Sequence, residues 1–443
     1  MLATHSLWPL GTIPFIGLLL AIAILPLIPA TSHWWHANRS KTIVAASCGL
    51  LTLLFISLTE SVASAGHIFV HTLMSEYIPF IILLGSLYVV AGGIALRGDL
   101  AATPRTNTII LAVGALLASV LGTTGASVLL IRLLLDTNRD RTRVAHTVVF
   151  FIFLVSNVGG LLLPIGDPPL FLGYLRGVPF FWTLQMWPQW SFTIGLLLAI
   201  YFGIDSWMIR HESPEAIRKE TKSTHPIHIS GLINLVWLGG ILASVIVLVP
   251  GRLFPGTSQE IPTFAREAAM CLCGGLSLIT TPRGLRAINK FSWGPILEVA
   301  ALFIGIFVAM QVPLAVLTER GAELGVTTPA QFFWVTGALS SFLDNAPTYL
   351  VFLTTATSLP AEPNTTMVML SEGMHVSATL LAAISLGSVF MGANSYIGNG
   401  PNFMVKAMAE EGGVRMPSFF GYMAWAAVVL IPVFILVTII FEH

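Results

Sequence analysis

Apolar runs of about 20 residues or more, enough to cross about 30 Å of hydrocarbon as helix, recur along the whole chain. They fall at 7–29, 42–63, 77–96, 144–174, 189–209, 229–250, 265–281, 292–318, 367–404 and 417–441. Two further apolar segments, 107–135 and 328–358, carry a polar motif near the middle. Each is too short to cross twice, which takes about 40 residues. Each therefore predicts a re-entrant hairpin that enters and leaves on one side. Irregular backbone at such a tip survives at membrane depth only when protein buries it or it lines a wet cavity.

Two of the long runs are themselves interrupted, at the same relative place. Pro-Ile-Gly-Asp-Pro-Pro-Leu-Phe spans Pro164 to Phe171, and Tyr-Ile-Gly-Asn-Gly-Pro-Asn-Phe spans Tyr396 to Phe403, 232 residues later. The hairpin tips, Leu121 to Ser127 and Leu343 to Thr348, align at an offset of 221. That alignment sets Thr123 against Asp344, Thr124 against Asn345 and Ser127 against Thr348. Glu76 and Glu298 open similar apolar helices ahead of the two hairpins, offset by 222.

The expected fold is an all-α polytopic membrane protein, an inverted repeat of two units. Each unit holds five spans, one of them a broken helix, plus one re-entrant hairpin. The first repeat is 1–212, with its hairpin at 107–135 and broken helix at 144–174. A linker, 213–228, is expected on the cytoplasmic side. The second repeat is 229–443, with its hairpin at 328–358 and broken helix at 367–404. Five crossings per unit is odd, so the halves have opposite topology, as in many secondary transporters.

Charge fits that layout. With both termini outside, sixteen of the 21 Lys and Arg fall in inside loops, as the positive-inside rule requires. Arg132 is the exception placed on a hairpin arm. The first run has no basic residue ahead of it and exceeds a signal-peptide core, so it reads as a span. The inner or plasma membrane is the expected location.

Composition agrees. Only 9% of the 443 residues are charged and mean hydropathy is +0.84, against about 25% charged in soluble domains, so the lipid bilayer is the expected partner. Net charge is zero and no basic block exists, which excludes nucleic acid as a partner. Cys48, Cys271 and Cys273 lie in apolar segments and read as buried thiols. No zinc motif, phosphate loop or nucleophile elbow is present, so an enzyme is not expected and no cofactor is needed.

The candidate chemistry lies in the interruptions. A broken helix leaves orphan N–H groups at one half-helix end and orphan carbonyls at the other, favouring anions and cations respectively. Thr123, Thr124, Ser127, Asn157, Asn345, Thr348, Asn394, Ser395, Asn399 and Asn402 add neutral oxygen ligands suited to a hard cation such as Na+. Asp167 and Asp344 matter most. An ionised carboxylate at mid-membrane costs about 2.5–3.5 kcal/mol, and a bound cation, a proton or a buried partner must offset it. Arg132 is the available partner. Otherwise the acids can hold Na+ or H+, with Na+ at Asp344, Asn345, Asp167 and Asn399. Glu298 and Glu76 read equally as helix-start acids or as a proton relay.

At these residues the chain resembles the ion transporter superfamily, which includes NhaD-type sodium/proton antiporters, arsenite-pump membrane subunits, and citrate or dicarboxylate transporters. Asp344-Asn345-Ala346-Pro347 resembles the tip motif of the antiporter branch, and Gly166-Asp167-Pro168-Pro169 the turn of the first broken helix. The resemblance implies a homodimer with a scaffold part and a moving transport part, alternating access, and Na+ as coupling or transported ion. The tips differ from the Ser-Asn-Thr of the dicarboxylate branch. The leading expectation is therefore exchange of Na+ or Li+ for H+. The alternative is Na+- or H+-coupled transport of citrate or a similar anion.

Overall fold

Proline, glycine and capping side chains decide where the apolar runs stop being helical. The computed structural model describes residues 7–26, 28–35, 37–212, 225–253, 258–289, 291–360 and 365–441. Its main helices in the first half are α1 (Trp8–Ile24), α2 (Asn38–Thr59), α3 (Val62–His71), α4 (Ile78–Gly92), α5 (Pro104–Leu121), α6 (Thr123–Thr137), α7 (Ala145–Leu154), α8 (Pro168–Leu175) and α9 (Trp187–Ile209). The second half follows with α10 (Ile233–Val247), α11 (Ala265–Thr280), α12 (Gly294–Ala309), α13 (Gln311–Arg320), α14 (Pro329–Ser340), α15 (Asn345–Thr357), α16 (Ala378–Met391), α17 (Gly400–Glu411) and α18 (Phe419–Phe441).

The protein is 75% helical with no barrel. Among the described residues six helices are long and apolar enough to cross a membrane, or seven when the bent pair α12–α13 counts as one. This is a multi-pass membrane protein. The all-α class expected from the hydrophobic pattern holds.

Three local readings change. Residues 62–71 are helical and run through a π-helical turn, Thr72–Tyr77, into α4, making one helix of 31 residues. Ser61 caps it by accepting from the Ser64 N–H at 3.0 Å; His67 and His71 lower its hydropathy and hide it. The expected span 292–318 is bent by 42° between α12 and α13. The second broken helix starts at Ala378, not at 367, because Met367–Met369 and His375–Ser377 pair as an antiparallel ribbon. A second ribbon joins the halves: Ala95–Asp99 pairs with His225–Ser230, the latter reaching into the expected linker. The rest of that linker, 213–224, lies outside the described residues.

At each expected hairpin two helices meet at a break, α5 with α6 and α14 with α15. Thr103 caps α5 at Pro104, and Thr328 with Gln331 forms a capping box at Pro329 of α14. In the first, the arms break at Gly122, whose φ of 77° is open to glycine and strained for L side chains. The chain then returns along itself: the Asn107 amide donates to Asn138 Oδ1 at 2.9 Å across the open end. In the second, Phe332 and Phe352 meet edge to face at 6.3 Å. Asp344 caps α15 there by accepting from the Ala346 N–H at 3.0 Å.

The two expected breaks also share one construction. Helix α7 ends before a 3₁₀ turn, Val158–Leu162, and α16 before another, Gly392–Asn394. In each the backbone crosses itself at a glycine pair, Gly160 with Gly166 and Gly392 with Gly398. A Cβ on Gly166 would sit 2.1 Å from the Gly160 carbonyl oxygen, and one on Gly398 2.6 Å from that of Gly392. Nothing larger than hydrogen fits between main chains. Gly166→Ala is expected to cost about 2–3 kcal/mol, read as a fall in melting temperature in detergent. An unchanged melting temperature would mean that the crossing can open.

Candidate functional site

Tips and breaks meet at one carboxylate. Asp167 is the N-cap residue of α8, in extended backbone, yet its side chain does not cap its own helix. An N-cap carboxylate normally accepts from the second or third N–H of its helix. Here Pro169 removes the second of these N–H groups, and the third, on Leu170, is taken by the Asp167 main-chain carbonyl at 3.1 Å. The carboxylate is thus left for partners elsewhere in the chain. The Thr123 hydroxyl, at the first tip, donates to Oδ1 at 2.8 Å. The Asn345 amide, at the second tip, donates to Oδ2 at 2.6 Å. The Asn399 amide, in the second break, donates to Oδ1 at 3.0 Å.

Four helices therefore begin at this point. Thr123 is the first residue of α6, Asn345 that of α15, and Asp167 and Asn399 are the N-caps of α8 and α17. Asn399 likewise makes no capping bond to its own helix, where Pro401 is in the first turn. Asp167 is 1% exposed, and among the described residues no Lys, Arg or His forms an ion pair with it. Arg132, the partner weighed from the sequence, instead donates from Nη1 to the Ile288 carbonyl at 2.8 Å.

Asp344, half-buried, directly precedes Asn345 at the second tip. Next to it the Asn345 side chain uses its amide on Asp167 and leaves its Oδ1 buried without a hydrogen-bond partner among the described residues. The Asn394 oxygen is in the same condition, its amide donating to the Ser341 hydroxyl at 2.9 Å. Buried acceptors without donors are costly and are what a hard cation would satisfy. Thr124 is half-buried on the other side, lining a cavity of about 70 Å³ with Gly122, Ile165 and Gly166.

The remaining candidates hold the frame. The Asn157 amide donates to Asn402 Oδ1 at 2.7 Å and to the Ile152 carbonyl at 2.8 Å. The Asn402 amide spans the second break, reaching the carbonyls of Gly392 and Ser395. The Ser395 hydroxyl donates to the Ser341 carbonyl and accepts from the N–H groups of Ile397 and Gly398. Ser127 bonds Ser156 at 2.8 Å. The Thr348 hydroxyl donates to the Asp344 carbonyl at 3.0 Å, inside its own helix.

Glu76 and Glu298 do not reach the hub. Glu76 takes Arg176, at the end of α8, at 2.7 Å, and Glu298 takes the buried Lys41 at 2.5 Å. Two hinge-binding serines escaped the sequence reading. The Ser119 hydroxyl donates to the Gly159 carbonyl at 2.6 Å, and the Ser340 hydroxyl to the Ser388 carbonyl at 2.7 Å. The signal was there, since they lie 221 residues apart, the same offset as the tips.

At the open end of the first hairpin a second polar cluster is built differently, with charge paired to charge. Asp205 of α9 accepts from Arg141 at 2.6 Å and bonds His146 at 2.8 Å. Nearby, burial pushes the Glu212 carboxyl up, but the Thr142 hydroxyl and the N–H groups of Arg143 and Thr142 outweigh it and hold it below its ordinary range.

Residues 4–442 match the family model CitMHS_2, described as Putative citrate transport. Comparison with curated proteins gives no match. The match spans nearly the entire chain, interrupted helices included, and a multi-pass helical protein so matched is a secondary transporter: the chain belongs to the citrate transporter family.

Proposed function

We propose that the protein is a Na+- or H+-coupled carrier of a citrate-type carboxylate, working by alternating access. The observation that carries this reading is the convergence of four helix N-termini on one buried point. Each contributes about half a positive charge, about +2 together, which matches two ionised acids at Asp167 and Asp344. The site is then near neutrality before substrate arrives. A di- or tricarboxylate can enter only if cations come with it, so coupling follows from the charge balance. The orphaned oxygens of Asn345 and Asn394, with Asp344, supply the cation's ligands. Half-helix N-termini facing a substrate carboxylate are the usual device in such carriers.

The parallel construction of the breaks supports the inverted repeat, with 1–212 and 229–443 as its units. The tips lie at membrane depth in this reading, and the basic loops face the cytoplasm. The hairpins and broken helices form the moving part, as a homodimer with the remaining helices as scaffold.

Exchange of Na+ or Li+ for H+ is the second reading. It is favoured by the absence of any Lys, Arg or His from the hub among the described residues, since such a site suits a lone cation. Proteoliposomes separate the two. Labelled citrate should accumulate under a Na+ or proton gradient. Dequenching of an internal pH dye on adding NaCl or LiCl, with no citrate uptake under either gradient, would overturn carboxylate carriage in favour of exchange.

A further inference from the structure

Arg132 lies on α6 between the tip and the open end of the first hairpin, nine residues beyond Thr123, or about 13 Å along a helix rising 1.5 Å per residue. Basic residues in loops are accounted for by orientation in the membrane; Arg132 lies within a helix. Its Nε is buried without a hydrogen-bond partner among the described residues. It borders an open cavity of about 1430 Å³, which Arg97, Arg139, Arg143 and Arg415 also line. Among the described residues none of these five forms an ion pair. A sixth lining arginine, Arg141, is held by Asp205 at 2.6 Å. Among the described residues two acids line the cavity, Asp136 and Glu411. A cleft in which one sign of charge predominates concentrates the opposite ion.

We propose that this vestibule is an anion-capture site for a multivalent carboxylate, with Arg132 as its innermost ligand. The guanidinium fork matches a carboxylate with two parallel hydrogen bonds, and several arginines from separate segments suit an anion with several carboxylates. Arg132 is on the same hairpin arm whose first residue, Thr123, belongs to the hub. The vestibule would thus load or clear the buried site from one face of the protein. This rests on the carboxylate-carrier reading, and the experiment separates the two.

Equilibrium binding of labelled citrate is measured on the full chain in phosphatidylcholine nanodiscs without Na+. Wild type should bind. Arg139→Gln with Arg143→Gln, both exposed and outside the hub, should weaken binding about tenfold or more, as should raised salt. Arg132→Gln should weaken it further, and Arg132→Lys should recover part of the loss, which a folding defect would not. Absent binding, or binding indifferent to the paired glutamines, overturns the vestibule even if gradient-driven citrate uptake is intact. Displacement of citrate by phosphatidylglycerol included in the nanodisc also overturns it, assigning the arginines to a lipid headgroup. Arginine-dependent binding without gradient-driven uptake would uphold the vestibule and sink the carrier reading alone.

Discussion

Asparagine in place of Asp344 is expected to stop transport and leave the fold standing. Asn is as good an N-cap as Asp, so the bond from the Ala346 N–H, 3.0 Å in the parent, survives. Backbone, tip and neighbouring Asn345 keep their places. What disappears is the negative charge beside two orphaned amide oxygens. Removing one member of a buried charge pair costs about 3 kcal/mol or more, equivalent to about 100-fold in cation affinity. Gradient-driven uptake and melting temperature measured on one preparation read both halves of the expectation. Transport near the wild-type rate would remove this carboxylate from the mechanism.

Asp167→Asn is expected to lose transport too, with a structural penalty that Asp344→Asn lacks. The parent carboxylate accepts from Thr123, Asn345 and Asn399. A carboxamide offers one oxygen and one N–H₂ group to that ring of donors, so at least one amide is left facing another. A buried unsatisfied polar group costs about 1–3 kcal/mol, and the charge assistance is lost as well. The variant should melt below both the parent and Asp344→Asn. Equal melting temperatures for the two variants would show that Asn345 or Asn399 turns its oxygen inward, and that Asp167 acts through charge alone.

Much of this was legible because a membrane restricts what a polar residue can be doing. Gly166-Asp167-Pro168-Pro169 stands out in apolar sequence, and the offset of 232 leads from Asp167 to Asn399. The hairpins were legible for the same reason: their polar tips cannot lie in lipid. Touching partners were less so. The sequence pairs Asp167 with Asn399 as equivalents, but only the packing of the two breaks makes them hydrogen-bonded neighbours. Asn394, Ser395 and Asn402 look like ligands in sequence because any amide or hydroxyl in a break does. Ser395 and Asn402 turn out to satisfy the freed backbone of the break, while Asn394 keeps an oxygen to spare. The ribbon between Ala95–Asp99 and His225–Ser230 left no trace, since five residues of strand have no hydrophobic period that a short loop lacks.

The hub also dictates an order of events during synthesis. Of the three donors to Asp167, only Thr123 precedes it; Asn345 follows 178 residues later and Asn399 232 residues later. At about 5–20 residues per second, Asp167 waits about 10–40 s for its second partner. Over that interval the unfinished chain has a single hydroxyl to receive this carboxyl. The ribosome must reach the last broken helix before the site exists at all.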